Sequence, residues 1–451
     1  MTDWDEAERR VEKAQELFQQ QRWHEALAEL RAAISINPYN PGWLFNVGLT
    51  LDELERYDEA ADAYRQAVEI DPGDLHSMNH LGVDLHRLGR YADAIATFER
   101  IERIDASFEP GYCNRIITYA ELGDHDRAEE MFYLARLVKD ECPHCYYNVG
   151  CSLYDREAYD RAIYCWRRAL ELDDRHPHAH VRIAEAMWAK GDLEQARQFY
   201  LTGLRRDLGD TSALLDLGEL LVELGRHDEA GEKFRRAVET SPEDPDAHYC
   251  FGRWLAVAGR HDEARAALEQ TLRLDPTFPA AHLRLAEVYH ARGDRRQTRR
   301  HLRAESLLRS DDPATLLELG NLLLDTQQPR AAAATYRRLV AVVPRSLRGW
   351  QNLAVALFTR GQYTDGVDAS LRALDLAADH PLTSYNLALA FERLGRFDDA
   401  LDAVGRALRA APGDTNLSRL RVRLRVLRLA AGVAGVIRHG GRLWRLVSRR
   451  T

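Results

Sequence analysis

The chain has 451 residues, 62 basic and 71 acidic side chains, a formal net charge of −9 and 45% hydrophobic residues, a composition that agrees with a soluble intracellular protein. Six cysteines at irregular spacing argue against a disulfide framework, and the longest low-charge run, residues 429–437, is far too short to span a bilayer. The N-terminus is acidic and lacks the cationic start and apolar run of a secretory signal, so the expected compartment is the cytoplasm.

After a six-residue extension (1–6), a 34-residue period runs without insertion or deletion through residues 7–414, in twelve windows that begin at 7, 41, 75, 109, 143, 177, 211, 245, 279, 313, 347 and 381. Window position 4 is large in most copies (Leu44, Met78, Tyr112, Tyr146), position 7 is aliphatic (Val47, Leu81, Val149, Leu217), position 8 is small (Gly48, Gly82, Gly150, Gly320) and position 11 is large again (Leu51, Leu85, Tyr119). Position 20 is alanine in most windows, from Ala26 and Ala60 to Ala332 and Ala400, with Thr298 and Gly366 as exceptions. Position 24 is usually aromatic (Tyr64, Phe98, Phe132, Trp166, Tyr200, Phe234, Tyr336). Apolar residues at 4, 7, 11 and again at 20, 24, 27 mark two successive helical faces, so each window predicts a helix pair. A glycine between the faces (Gly89, Gly123, Gly191, Gly225) ends the first helix, and proline near position 32 (Pro38, Pro72, Pro242, Pro276) ends the second. Small residues at 8 and 20 let the two axes approach.

The first window carries Arg10 and Lys13 where later copies are mostly apolar, as expected if no earlier repeat covers that face. Beyond residue 414, Leu417, Leu420, Leu424, Leu427 and Ala431 form a fresh stripe, which predicts a capping helix over 415–431. The alternation in 420–429 also suits a strand, but a free edge on an all-helical array would have no pairing partner, which favours the helix. Residues 432–451 form a basic amphipathic tail. The span 415–451 holds ten arginines and no acid, which leaves the first 414 residues with a net charge of −19. Within the tail, residues 442–450 interleave Leu443, Trp444, Leu446 and Val447 with Arg442, Arg445, Arg449 and Arg450. Such a segment suits an anionic membrane surface or nucleic-acid phosphates, although the favoured reading is that it solvates the cap or docks on the chain's own acidic surface. No specific nucleic-acid partner is expected.

The window pattern resembles the tetratricopeptide repeat, whose Trp, Leu-Gly, Tyr, Ala, Phe and Pro positions recur here at matching spacing. The resemblance implies an all-α fold: a right-handed superhelical solenoid of stacked antiparallel helix pairs, closed by the C-terminal capping helix. It further implies that the first helices line a concave groove that binds a protein or peptide partner. The expected groove positions are 2, 5, 6, 9, 12 and 13. Position 6 is asparagine in Asn46, Asn114, Asn148, Asn352 and Asn386, and a row of side-chain amides can pair with the backbone of an extended peptide. This looks like the asparagine ladder of the glycosyltransferases that carry such repeats, with His80, Arg182 and Asp216 among the interruptions. The lysine-rich carboxylate clamp of chaperone-binding members is absent. Acids outnumber bases at the later groove positions (Glu185, Asp216, Glu219, Glu223, Asp246, Glu287, Glu318 and Asp325 against Arg182, Arg253, Arg284 and Arg348), which favours a partner with a basic segment.

Windows three to six differ from the rest, and the expected peptide-binding groove centres on them. His80, Asn114, His144, Tyr147, Asn148, Tyr154, Arg182 and Trp188 occupy groove positions there, with Asn46, Asn352 and Asn386 extending the row. Window four breaks the repeat rule, with Arg115 and Ile116 where leucine and glycine belong. Five of the six cysteines (Cys113, Cys142, Cys145, Cys151, Cys165) fall in the same region. Cys142-Pro-His-Cys145 has the spacing of a zinc chelate or a redox pair, and Cys113, Cys151, His144 and His178 are further potential donors. No second Cys-x-x-Cys exists and no strand precedes this one, so partly buried free thiols are expected, with no metal site and no cofactor. His176, His178 and His180 read as polar surface at a helix start. No P-loop, dinucleotide glycine pattern or nucleophile elbow is present, and no catalytic residue is expected. The leading function is a non-enzymatic scaffold or adaptor. A zinc sensor at the Cys/His cluster and a peripheral membrane adaptor acting through the tail are the alternatives.

Overall fold

The structure, a computed structural model, describes the backbone of residues 3–447 except 177, 309 and 379, and side chains from residue 4 to 433 with the same exceptions. The described residues form 25 helices, α1 (Asp3–Gln19) to α25 (Thr415–Val447), and no strand. The first 24 fall two to a window, and within each unit, from α1 to α13 (Thr211–Glu223) and from α15 (Pro245–Val257) to α25, consecutive helices pack in chain order as antiparallel hairpins. Contacts divide the chain into two compact units, residues 1–233 and 234–451, with the division falling inside α14 (His227–Thr240).

Local chemistry repeats with the period. The residue just before each window often caps the first helix with its side chain: Asn40 accepts the Trp43 N–H, Asp74 that of Ser77, Asp210 that of Ala213 and Asp312 that of Thr315. Each such cap contributes about 1 kcal/mol by satisfying an N–H that the helix leaves unpaired. The reversal inside each hairpin needs one residue in the left-handed region. Glycine fills it eight times (φ 71–85°), whereas Gln21, Glu55, Glu157 and Gln327 hold it at φ 57–60°.

The small residue at position 8 serves close approach. A Cβ on Gly48 would lie 2.5 Å from the Tyr64 ring, and one on Gly150 would lie 2.5 Å from Trp166 Nε1. Tyr64 and Trp166 are fully buried as a result. Window four solves the same problem differently. Ile116 is buried in place of the glycine, Phe132 packs edge-on against Tyr146 of the next window (5.1 Å), and buried Arg115 pairs with Glu102 at 2.5 Å.

In the first unit, Val47, Leu51, Tyr64, Met78, Leu85 and Phe98 share one continuous core through the first three hairpins. In the second unit, Leu319, Tyr336, Leu353 and Leu357 form one cluster, and Leu387, Phe391 and Val404 form another with Leu420 and Leu424 of α25. Every large side chain so buried contributes roughly 1.5–3 kcal/mol. Ion pairs tie neighbouring hairpins at one recurring spacing: Arg156 with Asp126 (3.0 Å) and Lys190 with Asp160 in the first unit, and Arg292 with Asp262 and Arg428 with Asp398 (2.9 Å) in the second, each pair 30 residues apart.

Helix α25 begins where a thirteenth window would, but it buries positions 3, 6 and 10 in place of 4, 7 and 11. Asp414 caps it through the N–H groups of Asn416 (2.7 Å) and Leu417 (3.1 Å), and Leu417, Leu420 and Leu424 are buried while Leu427 is half-buried. It runs as one helix through both the segment expected as a cap and much of the tail. The side chains of 442–450, on which the membrane reading rests, lie outside the described residues. No helix among the described residues is long and apolar enough to cross a membrane.

Candidate functional site

The expected groove residues sit on first helices, half-buried or exposed, and the structure shows what each one touches. Three of the asparagines bond to the preceding window. Asn114 Nδ2, on α7 (Glu109–Glu121), donates to Asn79 Oδ1 at 2.9 Å. Asn148 Nδ2, on α9 (Pro143–Asp155), donates to the Cys113 carbonyl at 3.1 Å, and in the second unit Asn352 donates to Asn321 Oδ1 at 2.8 Å. The amide donors thus stitch one hairpin to the next, so the ladder offers a ligand mainly acceptor atoms. Asn46 lines a cavity of about 170 Å³ with Phe18 and Leu49, and Asn386 is half-buried on α23 (Pro381–Arg393).

His80, on α5 (Leu75–Arg87), stacks on the Tyr64 ring at 5.2 Å and places Nδ1 3.8 Å from Asp52 Oδ2. The Tyr64 hydroxyl donates to the same Asp52 oxygen at 2.8 Å. Beside them lies the fully buried Asp84, whose carboxyl is pushed up to about 8 by burial and then by its bond to Asp52, with Arg87 at 3.2 Å as the opposing influence. Sequence reasoning missed this carboxyl pair, although its two members lie 32 residues apart on adjacent first helices and face each other.

Tyr147 stacks on His176 at 4.6 Å, and His144 is exposed with its ring 5.1 Å from the same imidazole. His176, expected on the polar surface, is buried beneath Tyr147. His178 lies apart, 3.9 Å from Asp210, at a cavity of about 490 Å³ lined by His180, Arg206 and Asp207. Tyr154 leans on Trp166 and Tyr159 at ring distances of 6.0 and 5.4 Å.

On α11 (Ala179–Ala189), Arg182 pairs with Glu185 at 2.7 Å, and Trp188 Nε1 donates to Glu223 Oε2 on α13 (Thr211–Glu223) at 2.7 Å. Between these sits Asp216, half-buried, its carboxyl raised to about 6 by burial and by the negative charges of Glu185 and Asp210. This corner of the first unit is an aromatic surface beside crowded carboxylates.

The thiols come together in a way the spacing did not reveal. Cys142 occupies the recurring cap position held elsewhere by Asn40, Asp74 or Asp210, and its Sγ accepts the Cys145 N–H at 3.3 Å. Cys113 faces it from α7, with Glu109 one helical turn earlier. The ligand atoms of Glu109, Cys113, Cys142 and Cys145 all lie within 4.8 Å of one another. Cys142 is the thiol that ionises most easily, held down by its contacts with Cys113 and then Cys145, whereas Cys113 and Cys145 are pushed up in turn. His144, His178 and Cys151, weighed as partners from the sequence, stand outside this set. The missed member, Glu109, had a signal: it lies four residues before Cys113 and so shares its helical face.

Consecutive antiparallel hairpins on an unbroken 34-residue period define a helical repeat protein of the solenoid class. Tetratricopeptide-repeat profiles match residues 11–74, 75–100, 153–217, 200–245, 255–304, 317–381 and 361–415, and the chain belongs to the tetratricopeptide-repeat family. Solved structures with a similar fold include yeast Tom70 (12% identity, 98% of this chain and 99% of that one, TM-score 0.41). Human IFIT1 bound to m7Gppp-AAAA (17%, 83% and 91%, 0.44) and the APC/C assembly Cut9–Hcn1 (15%, 91% and 95%, 0.40) are similar at the same level. No curated protein sequence matches the chain.

Proposed function

We propose that the protein is a non-enzymatic, cytoplasmic interaction scaffold that binds an extended, arginine- or lysine-containing segment of a partner protein across the first helices of windows five to seven. Membership of the tetratricopeptide-repeat family supports the scaffold reading. The observation that carries the finer reading is the juxtaposition of Trp188 with Glu223, Glu185 and Asp216. A tryptophan edge held by a carboxylate, beside acids close enough to raise one another's proton affinity, favours an incoming cation through both Coulomb attraction and the ring face. Tyr147 on α9 and Arg182 on α11 extend the surface toward the first window of the cluster, and the Asn148 amide oxygen supplies a backbone acceptor site.

The test is titration of the full chain with a fluorescent peptide that alternates arginine and glycine, and with its glutamate counterpart. Binding of the arginine peptide that weakens as salt rises, and at least about tenfold loss in Trp188→Ala combined with Asp216→Asn and Glu223→Gln, is the expected result. Equal binding of both peptides, or no change in the triple variant at unaltered helicity, rejects this location.

A further inference from the structure

We propose that Glu109, Cys113, Cys142 and Cys145 form a zinc-binding site that cross-links the fourth and fifth hairpins. This inference rests on the thiol cluster alone and is independent of the peptide-binding reading.

Four protein ligands at about 2.3 Å from a central ion stand roughly 3.8 Å from one another in a tetrahedron. The four donor atoms here already lie within 4.8 Å of each other, so side-chain rotations of under about 1 Å close the shell. Two rigid elements present them. Glu109 and Cys113 lie one turn apart on α7, and Cys142 and Cys145 are the cap and third residue of α9. The two helices belong to successive windows, and they pack against each other more extensively than any other pair of first helices among the described residues.

The surroundings are those of metal thiolates. The Cys145 N–H points at Cys142 Sγ (3.3 Å) and the Asn148 amide at Cys113 Sγ (3.5 Å), donors of the kind that hold a coordinated sulfur in place. Cys113, Cys142 and Cys145 are buried, at 6%, 4% and 1% exposure, while Glu109 is half-buried and forms the rim through which an ion enters. Thiols that merely fill space do not need a carboxylate among them. Here Cys145 Sγ donates to Glu109 Oε1 at 2.9 Å, so three thiols and a carboxyl share one pocket, and a divalent cation would supply the charge that lets all four ligate as anions.

Three soft thiolates and one carboxylate in a tetrahedral array select zinc over magnesium or calcium. Binding releases the thiol protons to solvent and leaves three thiolates and one carboxylate around a dication. With all four positions filled by protein, the site has no open coordination place and is structural. It fixes α9 against α7 where window four departs from the repeat rule and where Phe108 gives α7 no side-chain cap.

The test is metal analysis of the untagged, full-length chain purified under reducing conditions, followed by cobalt substitution. About one zinc per chain is expected, with thiolate-to-cobalt charge transfer and the intense visible bands of tetrahedral cobalt. Cys113→Ser and Cys142→Ser should each abolish the cobalt spectrum. Cys151→Ser and Cys165→Ser, outside the cluster, should retain it and show that the bands do not come from any thiol. Asn148→Ala, which leaves all four ligands in place, should weaken zinc about tenfold. Zinc below about 0.1 equivalent after incubation of reduced wild-type protein with zinc chloride, or cobalt bands that survive Cys142→Ser, overturns the site. A Cys142–Cys145 disulfide in place of metal uptake also overturns it.

Discussion

The Glu305 carboxylate accepts the backbone N–H of Leu283 at 3.1 Å and that of Ala280 at 3.3 Å, and so caps α17 (Ala281–Ala291) from its own hairpin partner α18 (Arg295–Leu308). The residue that caps other first helices is Phe278 in this window, and Ala280 takes a left-handed conformation (φ 61°) at the helix start. A buried acid thus replaces a local cap. Glu305→Ala leaves two amides without their acceptor and should cost about 2 kcal/mol. Glu305→Gln, which keeps one acceptor oxygen, should cost less. Faster amide hydrogen exchange at Leu283 in the alanine variant, ahead of distant hairpins, is the expected reading.

Gly150→Ala should be disruptive although alanine favours helices. Its methyl would stand 2.5 Å from the Trp166 indole, which is fully buried and donates Nε1–H to the Tyr147 carbonyl at 3.1 Å. An overpacking cost of about 1–3 kcal/mol is expected. A red-shifted tryptophan emission and a lowered thermal midpoint would record it, whereas Gly405→Ala, with open space at its Cβ, should do neither.

The hairpin reversals give opposite-signed predictions at equivalent positions. Gly225 stands at φ 73°, so Gly225→Ala should destabilise by about 1 kcal/mol. Glu157 holds the same conformation at φ 59° with a Cβ, and Glu157→Gly should stabilise by up to about 1 kcal/mol. Thermal midpoints of the two variants, compared with wild type, should move in opposite directions.

Two buried groups tilt stability in opposite senses with pH. Asp84 holds its proton in the folded chain up to about 8, through burial and then Asp52, whereas an unfolded aspartate ionises near 3.8. Its contribution is complete below about 3.8 and is lost as pH rises through about 8. Burial also pushes Asp52 upward, but bonds from His80, Asp84 and Tyr64 outweigh it and hold that carboxyl below its usual value; its own contribution is lost as pH falls. Asp84→Asn removes the proton uptake and should gain on wild type as pH rises from 5 to 8 in thermal melts. His301 behaves inversely. Burial, then His282 with its Nδ1 3.0 Å away, lowers it to about 4, so its contribution is present above about 6.5 and lost as pH falls toward 4. The stability gap between wild type and His301→Leu should narrow over that interval.

Much of the fold was legible because the repeat chemistry is local. Glycine at the reversal, glycine against an aromatic at position 8 and proline at the second helix's end are each dictated by backbone geometry within one window. The site was legible only in outline. Cysteine spacing pointed to a chelate, and of the further donors weighed from sequence, Cys113, Cys151, His144 and His178, only Cys113 joins it. The helical turn before Cys113 adds Glu109, which the spacing of cysteines and histidines did not mark, while His144 is exposed beside His176 and His178 lies near Asp210. The asparagine row was equally visible, but its engagement with the preceding window depends on interhelix distances that no single window encodes.

Helix α25 has the cap, the ion pair and the buried leucines of a first helix, yet among the described residues it packs on α24 (Phe397–Ala410) with no second helix of its own beside it. Val422, Val426, Leu429 and Val433 consequently stand 60–67% exposed along one side. Window positions 8 and 12 fall on Val422 and Val426, so a branched side chain stands where Gly48 or Gly150 leaves room for the partner's aromatic. A second helix grafted after α25 with the usual aromatic at position 24 would collide with Val422, so lengthening the array by one more unit would require Val422→Gly as well.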